Sequence, residues 1–239
     1  MRKPISVLLG LLVGCVDPDV PAPSPDDGKE DAAPVEYFTV LSMQRDCIGV
    51  TCQEAMVSAV NRTLTTCPGG AQLQACLVHA IDWSETAFEE TEIERITSRW
   101  LPYAPAAGNL RPLIVRGRLV KSALVVAEAW VAFEPETSVI GADRGIAVLM
   151  RYGSDDPTAC DTDPRNQTWC PVEETKLNST RRGSRLRLQP SATSDATEVA
   201  NVAGLLRDGE QLIIVGAETD SVSRRVDAAY GQVPPGGFE

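Results

Sequence analysis

The sequence predicts an α+β fold of two similar units, each a mostly antiparallel sheet with one main helix, stapled by local disulfides. Candidate elements run from strands to a helix and back to strands in both halves. An Asn-X-Thr triplet follows a cysteine loop in each half, at 61–63 and at 178–180. Residues 212–216 (LIIVG) also resemble residues 113–117 (LIVRG). These recurrences indicate an internal duplication, for which chance repetition of a common pattern is the alternative.

The first unit is placed at 36–134. Alternating or continuous apolar residues predict strands at 37–43, 55–60, 76–81, 113–117 and 123–133. A helix is predicted at 84–100, with Ser84 as its N-cap and acidic residues in its first turns. Pro102 breaks this pattern.

The second unit is placed at 144–233. Strands are predicted at 145–152, 185–188 and 212–216, and a helix at 195–207. Val199, Val202 and Leu206 lie on one face of that helix, and Gly209 is its predicted C-cap.

The amino-terminal segment predicts export and lipid attachment. Arg2 and Lys3 precede an apolar run at 5–13, the pattern of a secretion signal. Residues 12–15 (LVGC) resemble the bacterial lipobox, whose cysteine receives palmitate and other acyl chains. We therefore predict a lipoprotein signal peptide at 1–14 and a lipid anchor on Cys15. The alternative is an ordinary signal cleaved near Gly14.

The segment after Cys15 indicates a location and a spacer. Val16, rather than aspartate, follows the cysteine, which favours the outer membrane of the cell envelope. Residues 16–35 contain five prolines and six acidic residues against Lys29 alone, with no aromatic residue. This composition cannot bury enough apolar surface to fold, so residues 15–35 are predicted to be a lipidated, disordered tether.

The charge of the chain excludes some partners. The formal net charge is −11, and removal of Arg2 and Lys3 leaves 20 basic against 33 acidic residues, a net charge of −13. Nucleic acids and anionic lipid surfaces reward basic patches. We therefore expect no nucleic-acid partner, and membrane contact only through the anchor.

Six further cysteines predict disulfides, because an exported chain with an even number of cysteines is normally oxidised. They form three local couples: Cys47 with Cys52, Cys67 with Cys76, and Cys160 with Cys170. Zinc is the weaker alternative, since the chain has no CxxC pair and one histidine.

No catalytic site is predicted, and no cofactor. The only histidine, His79, has Asp82 three residues on, and these positions face opposite sides of a strand. Motifs of hydrolases, kinases and zincins are absent from the sequence. Paired carboxylates leave no sequence signal, so a carboxylate enzyme stays open.

Two weaker candidates remain. Four aspartates flank Cys160 and offer oxygens to calcium, although a solvated acidic loop explains them equally well: Asp155, Asp156, Asp161 and Asp163. Trp169 is predicted to lie in a polar loop, where it is either an exposed contact residue or packs on the neighbouring disulfide.

The chain resembles uncharacterised bacterial lipoproteins with a duplicated, cysteine-containing domain of unknown function. The resemblance rests on residues 47–61, on CLVHAIDW at 76–83 and on LIVRG at 113–117, and covers about 37–233. It implies the architecture but no activity. We therefore predict a non-enzymatic binding or structural module that meets an envelope protein or extracellular ligand; a carboxylate-dependent hydrolase of envelope polymers is the alternative.

Overall fold

A computed structural model of the chain describes residues 33–44, 54–100, 113–133, 146–156, 158–163, 167–191, 196–234 and 236. The predicted signal peptide, Cys15 and most of the tether lie outside these residues, as do Cys47 and Cys52. The helices of the described part are α1 (Glu90–Trp100) and α2 (Ala196–Arg207). Its strands are β1 (Glu36–Gln44), β2 (Glu54–Ala59), β3 (Thr65–Thr66), β4 (Gln72–Leu73), β5 (Cys76–Val78), β6 (Ala80–Asp82), β7 (Leu113–Val120), β8 (Ala123–Ala132), β9 (Ile146–Tyr152), β10 (Asp161–Asp163), β11 (Gln167–Lys176), β12 (Arg182–Pro190), β13 (Leu212–Gly216), β14 (Ser223–Val226) and β15 (Ala228–Gln232).

The predicted fold class is wrong, because the protein is mainly β and one sheet runs through both predicted units. Thirteen of the described strands form a continuous sheet in the order β14-β12-β11-β9-β13-β15-β8-β7-β1-β2-β5, with β10 on β11 and β6 on β8. The ladder crosses between the two predicted units where Trp130 of β8 pairs with Gln232 of β15. The described residues from Ala33 onward accordingly belong to one compact unit.

The sheet closes on itself at the end formed by the later strands of the chain, β9 and β11 to β14. Antiparallel pairing joins β13 to β9, β9 to β11 and β11 to β12, and β14 lies parallel to β12. The segment of β14 then returns to that of β13: the Arg225 N–H donates to the Ala217 carbonyl at 2.9 Å, and the Asp227 N–H to the Val215 carbonyl at 2.8 Å. Five strands closed in this order, with α2 between the third and the fourth, have the arrangement of the OB fold.

The other end of the sheet closes through a second parallel pair. β1 pairs with β2 and β7, β2 pairs with β5, β7 pairs with β8, and β6 lies parallel to β8. Ile96 of α1 is buried in the core inside this end, and Val199 and Leu206 of α2 in the core inside the other. Each helix therefore fills one end of a closed sheet instead of forming a layer over an open one.

Two asparagines connect the ends of the sheet. Asn61, after β2, donates from Nδ2 to the Ala147 carbonyl at 2.6 Å and to the Leu177 carbonyl at 3.1 Å, and its Oδ1 accepts the Ala147 N–H at 2.8 Å. Asn178, after β11, binds both backbone groups of Tyr37 at 2.7 and 2.8 Å and the Val60 carbonyl at 3.0 Å. Each asparagine side chain thus forms hydrogen bonds with backbone N–H and C=O groups, as a neighbouring strand would. Both residues have positive φ, 58° and 54°, which asparagine tolerates better than most residues.

Several local predictions are confirmed and others are corrected. The predicted strand at 76–81 is divided, since β5 pairs with β2 whereas β6 pairs with β8. α1 begins at Glu90 rather than after Ser84, because the Ser84 N–H is bound by Asp82 Oδ1 at 2.9 Å in a turn. α2 is confirmed with its cap: Gly209 has a φ of 97°, and its N–H donates to the Leu206 carbonyl at 3.0 Å.

Two of the three predicted disulfides are confirmed, Cys67–Cys76 and Cys160–Cys170. The first closes the loop that carries the small β3–β4 hairpin. The second links β11 to the segment just before β10. The pairing of Cys47 with Cys52 lies outside the described residues.

The core between the two ends contains a buried hydroxyl without a hydrogen-bond partner. Tyr230 of β15 is fully buried in a cluster with Trp130, and its hydroxyl has no partner among the described residues. Burial raises the pKa of Tyr230 above its usual range. The ring therefore acts here as a hydrophobic side chain with an uncompensated polar atom.

We expect Tyr230→Phe to raise the free energy of unfolding by up to about 1–2 kcal/mol, because it removes an unpaired buried hydroxyl and keeps the ring. Urea denaturation measures the change. Tyr152→Phe is the matched control with the opposite sign, since the Tyr152 hydroxyl donates to the Asp156 carbonyl. A loss of stability above about 1 kcal/mol in Tyr230→Phe would show that the hydroxyl is paired.

Candidate functional site

Trp169 lies on a strand and not in the loop that the sequence indicated. On β11 its neighbours Thr168 and Cys170 are buried, whereas Trp169 is 39% exposed. Side chains alternate between the faces of a strand, so Trp169 projects from the outer face of the sheet. Its paired residues are Asp161 on β10 and Arg187 on β12. The disulfide at Cys170 fixes the strand directly beside it.

Arg187 holds the Trp169 ring in place. Its guanidinium carbon lies 4.0 Å from the ring centroid, within cation–π distance. Such a contact contributes about 0.5–1 kcal/mol at an exposed site. The indole is therefore oriented before any ligand arrives.

A β-bulge places Arg187 on the outer face. The Leu186 and Arg187 N–H groups both donate to the Val222 carbonyl, at 2.9 and 3.1 Å, so two residues stand opposite one. In a regular strand Arg185 and Arg187 would share a face. Instead, Arg185 binds the buried Glu174 at 2.8 Å, whereas Arg187 stacks on Trp169.

The loop between β13 and β14 adds an acidic and an apolar residue to this area. Asp220 Oδ1 accepts the Val222 N–H at 2.8 Å. This hydrogen bond lowers the pKa of Asp220, and the nearby charge of Arg187 acts weakly in the same direction. Leu186 and Val222 are both exposed. We call the group the Trp169 surface: Trp169, Leu186, Arg187, Asp220 and Val222.

A buried ion network supports the same loop. Glu174 accepts two hydrogen bonds from Arg224, at 2.7 and 3.1 Å, and is also bound by Arg185. Arg185 reaches Glu218 at 2.9 Å and donates to the Ser221 carbonyl at 3.3 Å. Because Arg224 is 1% and Glu174 6% exposed, this network is shielded from water and holds both ends of the loop.

A cleft of about 460 Å³ lies on the other side of β11, beside α2. Thr168 and Cys160 line it together with Asn201, Arg207 and Asp208 of the helix and its end. Among the described residues that line it, the one carboxylate is that of Asp208, which is ion-paired with Arg207 at 3.3 Å. The described lining therefore brings no two acids together.

His79 and Asp82 do not form a pair. His79 Nδ1 lies 3.0 Å from Glu54 Oε1 on the exposed surface, and Asp82 is bound to Ser84. No nucleophilic side chain is among the contacts that the structure gives His79. The contact is therefore a side-chain hydrogen bond to one carboxylate and not a triad.

The calcium prediction stays a prediction. In the part of the chain that the structure describes, no three His, Cys, Asp or Glu side chains lie close enough to hold a metal ion. Asp156 Oδ1 accepts hydrogen bonds from the Thr158 hydroxyl and N–H, at 2.7 and 2.9 Å, which lowers the pKa of Asp156. The side chains of Asp161 and Asp163 lie outside the described residues.

The Trp169 surface falls within a region that matches a protein family. A family model described as Domain of unknown function (DUF6748) matches residues 36–229, most of the chain. The chain belongs to the DUF6748 family. The match confirms the resemblance to an uncharacterised domain of unknown function, and the proposed lipid anchor lies outside it.

Further comparisons add no function. No curated protein matches the chain. Among solved structures, a deletion mutant of the single-stranded DNA-binding protein from Thermus aquaticus is 15% identical over 82% of this chain and 92% of that chain, with a TM-score of 0.21. A TM-score this low does not establish a shared fold. No helix of the described DUF6748 region is long and apolar enough to cross a membrane.

Proposed function

We propose that this protein is a lipid-anchored protein of the bacterial cell envelope whose folded part is a non-enzymatic binding module, with the Trp169 surface as its contact site. One observation carries the proposal: an exposed indole is fixed by Arg187 at 4.0 Å on a strand tied by a disulfide. Exposed aromatic side chains supply much of the energy of recognition. Because the ring is ordered in advance, binding costs little further entropy.

The anchor is proposed from the first fifteen residues. The lipobox-like LVGC at 12–15 provides Cys15, and the acidic, proline-rich residues 16–35 provide a spacer of several nanometres at about 3 Å per residue. Two disulfides agree with an oxidising compartment outside the cytoplasm. Mass spectrometry of the amino-terminal peptide from membranes tests this part. An acylated Cys15 supports it, and an unmodified Cys15 contradicts it.

The geometry favours binding over hydrolysis. Glu174 and Glu218 are the acids that approach each other in the ion network, but Arg185 Nη2 lies between them, at 2.8 and 2.9 Å. The guanidinium occupies the space that a glycosidic oxygen or an attacking water would need. Glu174 is also too buried to reach a polymer.

In the test, envelopes are isolated from cells that lack this protein, and the mature protein is added to them in detergent. We expect Trp169→Ala to lower the amount of protein retained on the envelopes at least tenfold. The physical reason is loss of the oriented ring that supplies most of the contact area. Stability should change little, because the side chain is partly exposed. Leu73→Ala is the control, since Leu73 is similarly exposed but lies on β4, in a separate two-stranded sheet. Equal retention of Trp169→Ala and the unmodified protein would overturn the proposal.

A further inference from the structure

We propose that the Trp169 surface binds an uncharged glycan chain, one sugar ring of which stacks on the Trp169 indole. This inference rests on the proposed function, because it names the ligand class of the same surface. It is argued from the exposed part of the ring, the polar groups around it, the local charge and the position of the surface in the fold.

The indole keeps part of its ring exposed beside Arg187. The Arg187 guanidinium carbon lies over the ring, 4.0 Å from its centroid, and 39% of Trp169 is exposed. A flat apolar ring of this kind suits the C–H groups on one side of a pyranose ring. Exposed Leu186 and Val222 extend the apolar contact at its margin.

Polar groups suited to sugar hydroxyls lie around Arg187, beside the ring. Asp220 is an ionised acceptor, and the planar Arg187 guanidinium carries several N–H donors. Thr219 and Gln189 form an exposed side-chain hydrogen bond at 3.2 Å next to them. A pair of vicinal hydroxyls needs both donors and acceptors, and both types are present here.

The local charge selects against a polyanion. Among the described residues of this end of the sheet, several partly or fully exposed arginines lie close to carboxylates: Arg187 to Asp220, Arg151 to Glu173 at 2.5 Å, and Arg225 to Asp227 at 2.8 Å. Nucleic-acid binding requires cations that neutralise phosphates and release their counterions. The net charge of the whole chain, −11, adds long-range repulsion. The surface therefore fits an uncharged ligand better than a nucleic acid.

The position of the surface agrees with a chain-like ligand. β11 and β12 are the second and third strands of the closed five-stranded end, and residues 217–222 connect its fourth and fifth strands. OB folds bind oligosaccharides or oligonucleotides on this face and beside this connection. That is an analogy at the level of the fold, and the charge argument decides between the two ligand classes.

The test is a titration of the mature chain, in detergent, with hexamers of N-acetylglucosamine and of glucose, followed by calorimetry and tryptophan fluorescence. We expect one or both hexamers to bind, Trp169→Ala to weaken binding at least tenfold, and Trp169→Phe to weaken it less. Asp220→Asn should weaken it severalfold, and Leu73→Ala should leave it unchanged.

The other outcomes separate this inference from the proposed function. If neither hexamer binds, or if binding survives Trp169→Ala, the glycan proposal is overturned. Binding of a thymidine oligonucleotide that depends on Trp169 also overturns it, while leaving the Trp169 surface as the binding site. A different result overturns the proposed function: retention on envelopes that does not depend on Trp169.

Discussion

Glu174→Ala is expected to lower the free energy of unfolding by about 3–5 kcal/mol, the largest loss among the substitutions considered. The substitution removes the carboxylate that binds Arg224, which is 1% exposed, and Arg185, and it leaves both guanidiniums only one described carboxylate, that of the partly exposed Glu218, at 3.5 and 2.9 Å. An unpaired buried charge costs far more than the pair contributes, because water cannot replace the lost partner. Denaturation by urea, followed by circular dichroism, measures the change.

The adjacent residue gives a matched control. Glu173 pairs with Arg151 on the surface, where both side chains are more than half exposed, at 51% and 65%. Exposed ion pairs contribute between about 0 and 1 kcal/mol, so Glu173→Ala should change stability very little. Equal effects of the two substitutions would mean that the network around Glu174 is solvated.

Asn61→Ala is expected to lower the free energy of unfolding by about 2–4 kcal/mol. It removes three partly buried hydrogen bonds to Ala147 and Leu177, each of which contributes about 0.5–1 kcal/mol. Alanine at a φ of 58° adds strain of about 1 kcal/mol. Urea denaturation measures the sum, and Asn61→Gly isolates the hydrogen bonds because glycine adopts this φ freely.

Lys121 provides the control for backbone conformation. It has a φ of 53° in the turn between β7 and β8, so Lys121→Ala keeps a non-glycine residue in the same conformation. We expect its effect to stay within about 0.5 kcal/mol. If Asn61→Gly is as stable as the unmodified protein, the asparagine does not hold the two ends of the sheet together.

Elements with local signals could be predicted from the sequence. α2 combines an apolar face with Gly209 at its end, and both features act within a few residues. The strands now called β7, β8 and β13 are apolar runs that are buried as predicted. Local pairing of Cys67 with Cys76 also follows from close spacing and the turn between them.

The fold class was wrong because several strands have no apolar pattern. β11 carries Glu173 and Glu174 in succession, and Glu174 is buried only because arginines from β12 and β14 neutralise it. β14 contains two consecutive arginines, of which Arg224 pairs with Glu174 and Arg225 with Asp227. Without these strands, each half is predicted as a smaller, mostly antiparallel sheet with one main helix. The closed sheet depends on pairings between distant residues that the sequence does not show.

The candidate site was predicted only in part. The sequence offers Trp169 either as an exposed contact residue or as packed on the disulfide, and places it in a loop, but it gives no indication of Arg187 and Asp220. Their approach depends on the pairing of β11 with β12 and on the bulge opposite Val222. The one signal in the sequence is the alternation of arginine and leucine at residues 185–188. The bulge interrupts the regular alternation of side chains between the two faces of a strand, so this signal does not predict the face on which Arg187 lies.

Oxidative footprinting of tryptophans on the mature protein, free and bound to isolated envelopes, tests most directly whether the Trp169 surface is the contact site. Trp83 and Trp130 are buried in the same molecule and serve as internal standards. We expect the oxidation rate of Trp169 to fall severalfold on binding, while those of Trp83 and Trp130 stay unchanged. Bound protein whose Trp169 is oxidised as fast as in the free protein would contradict this account.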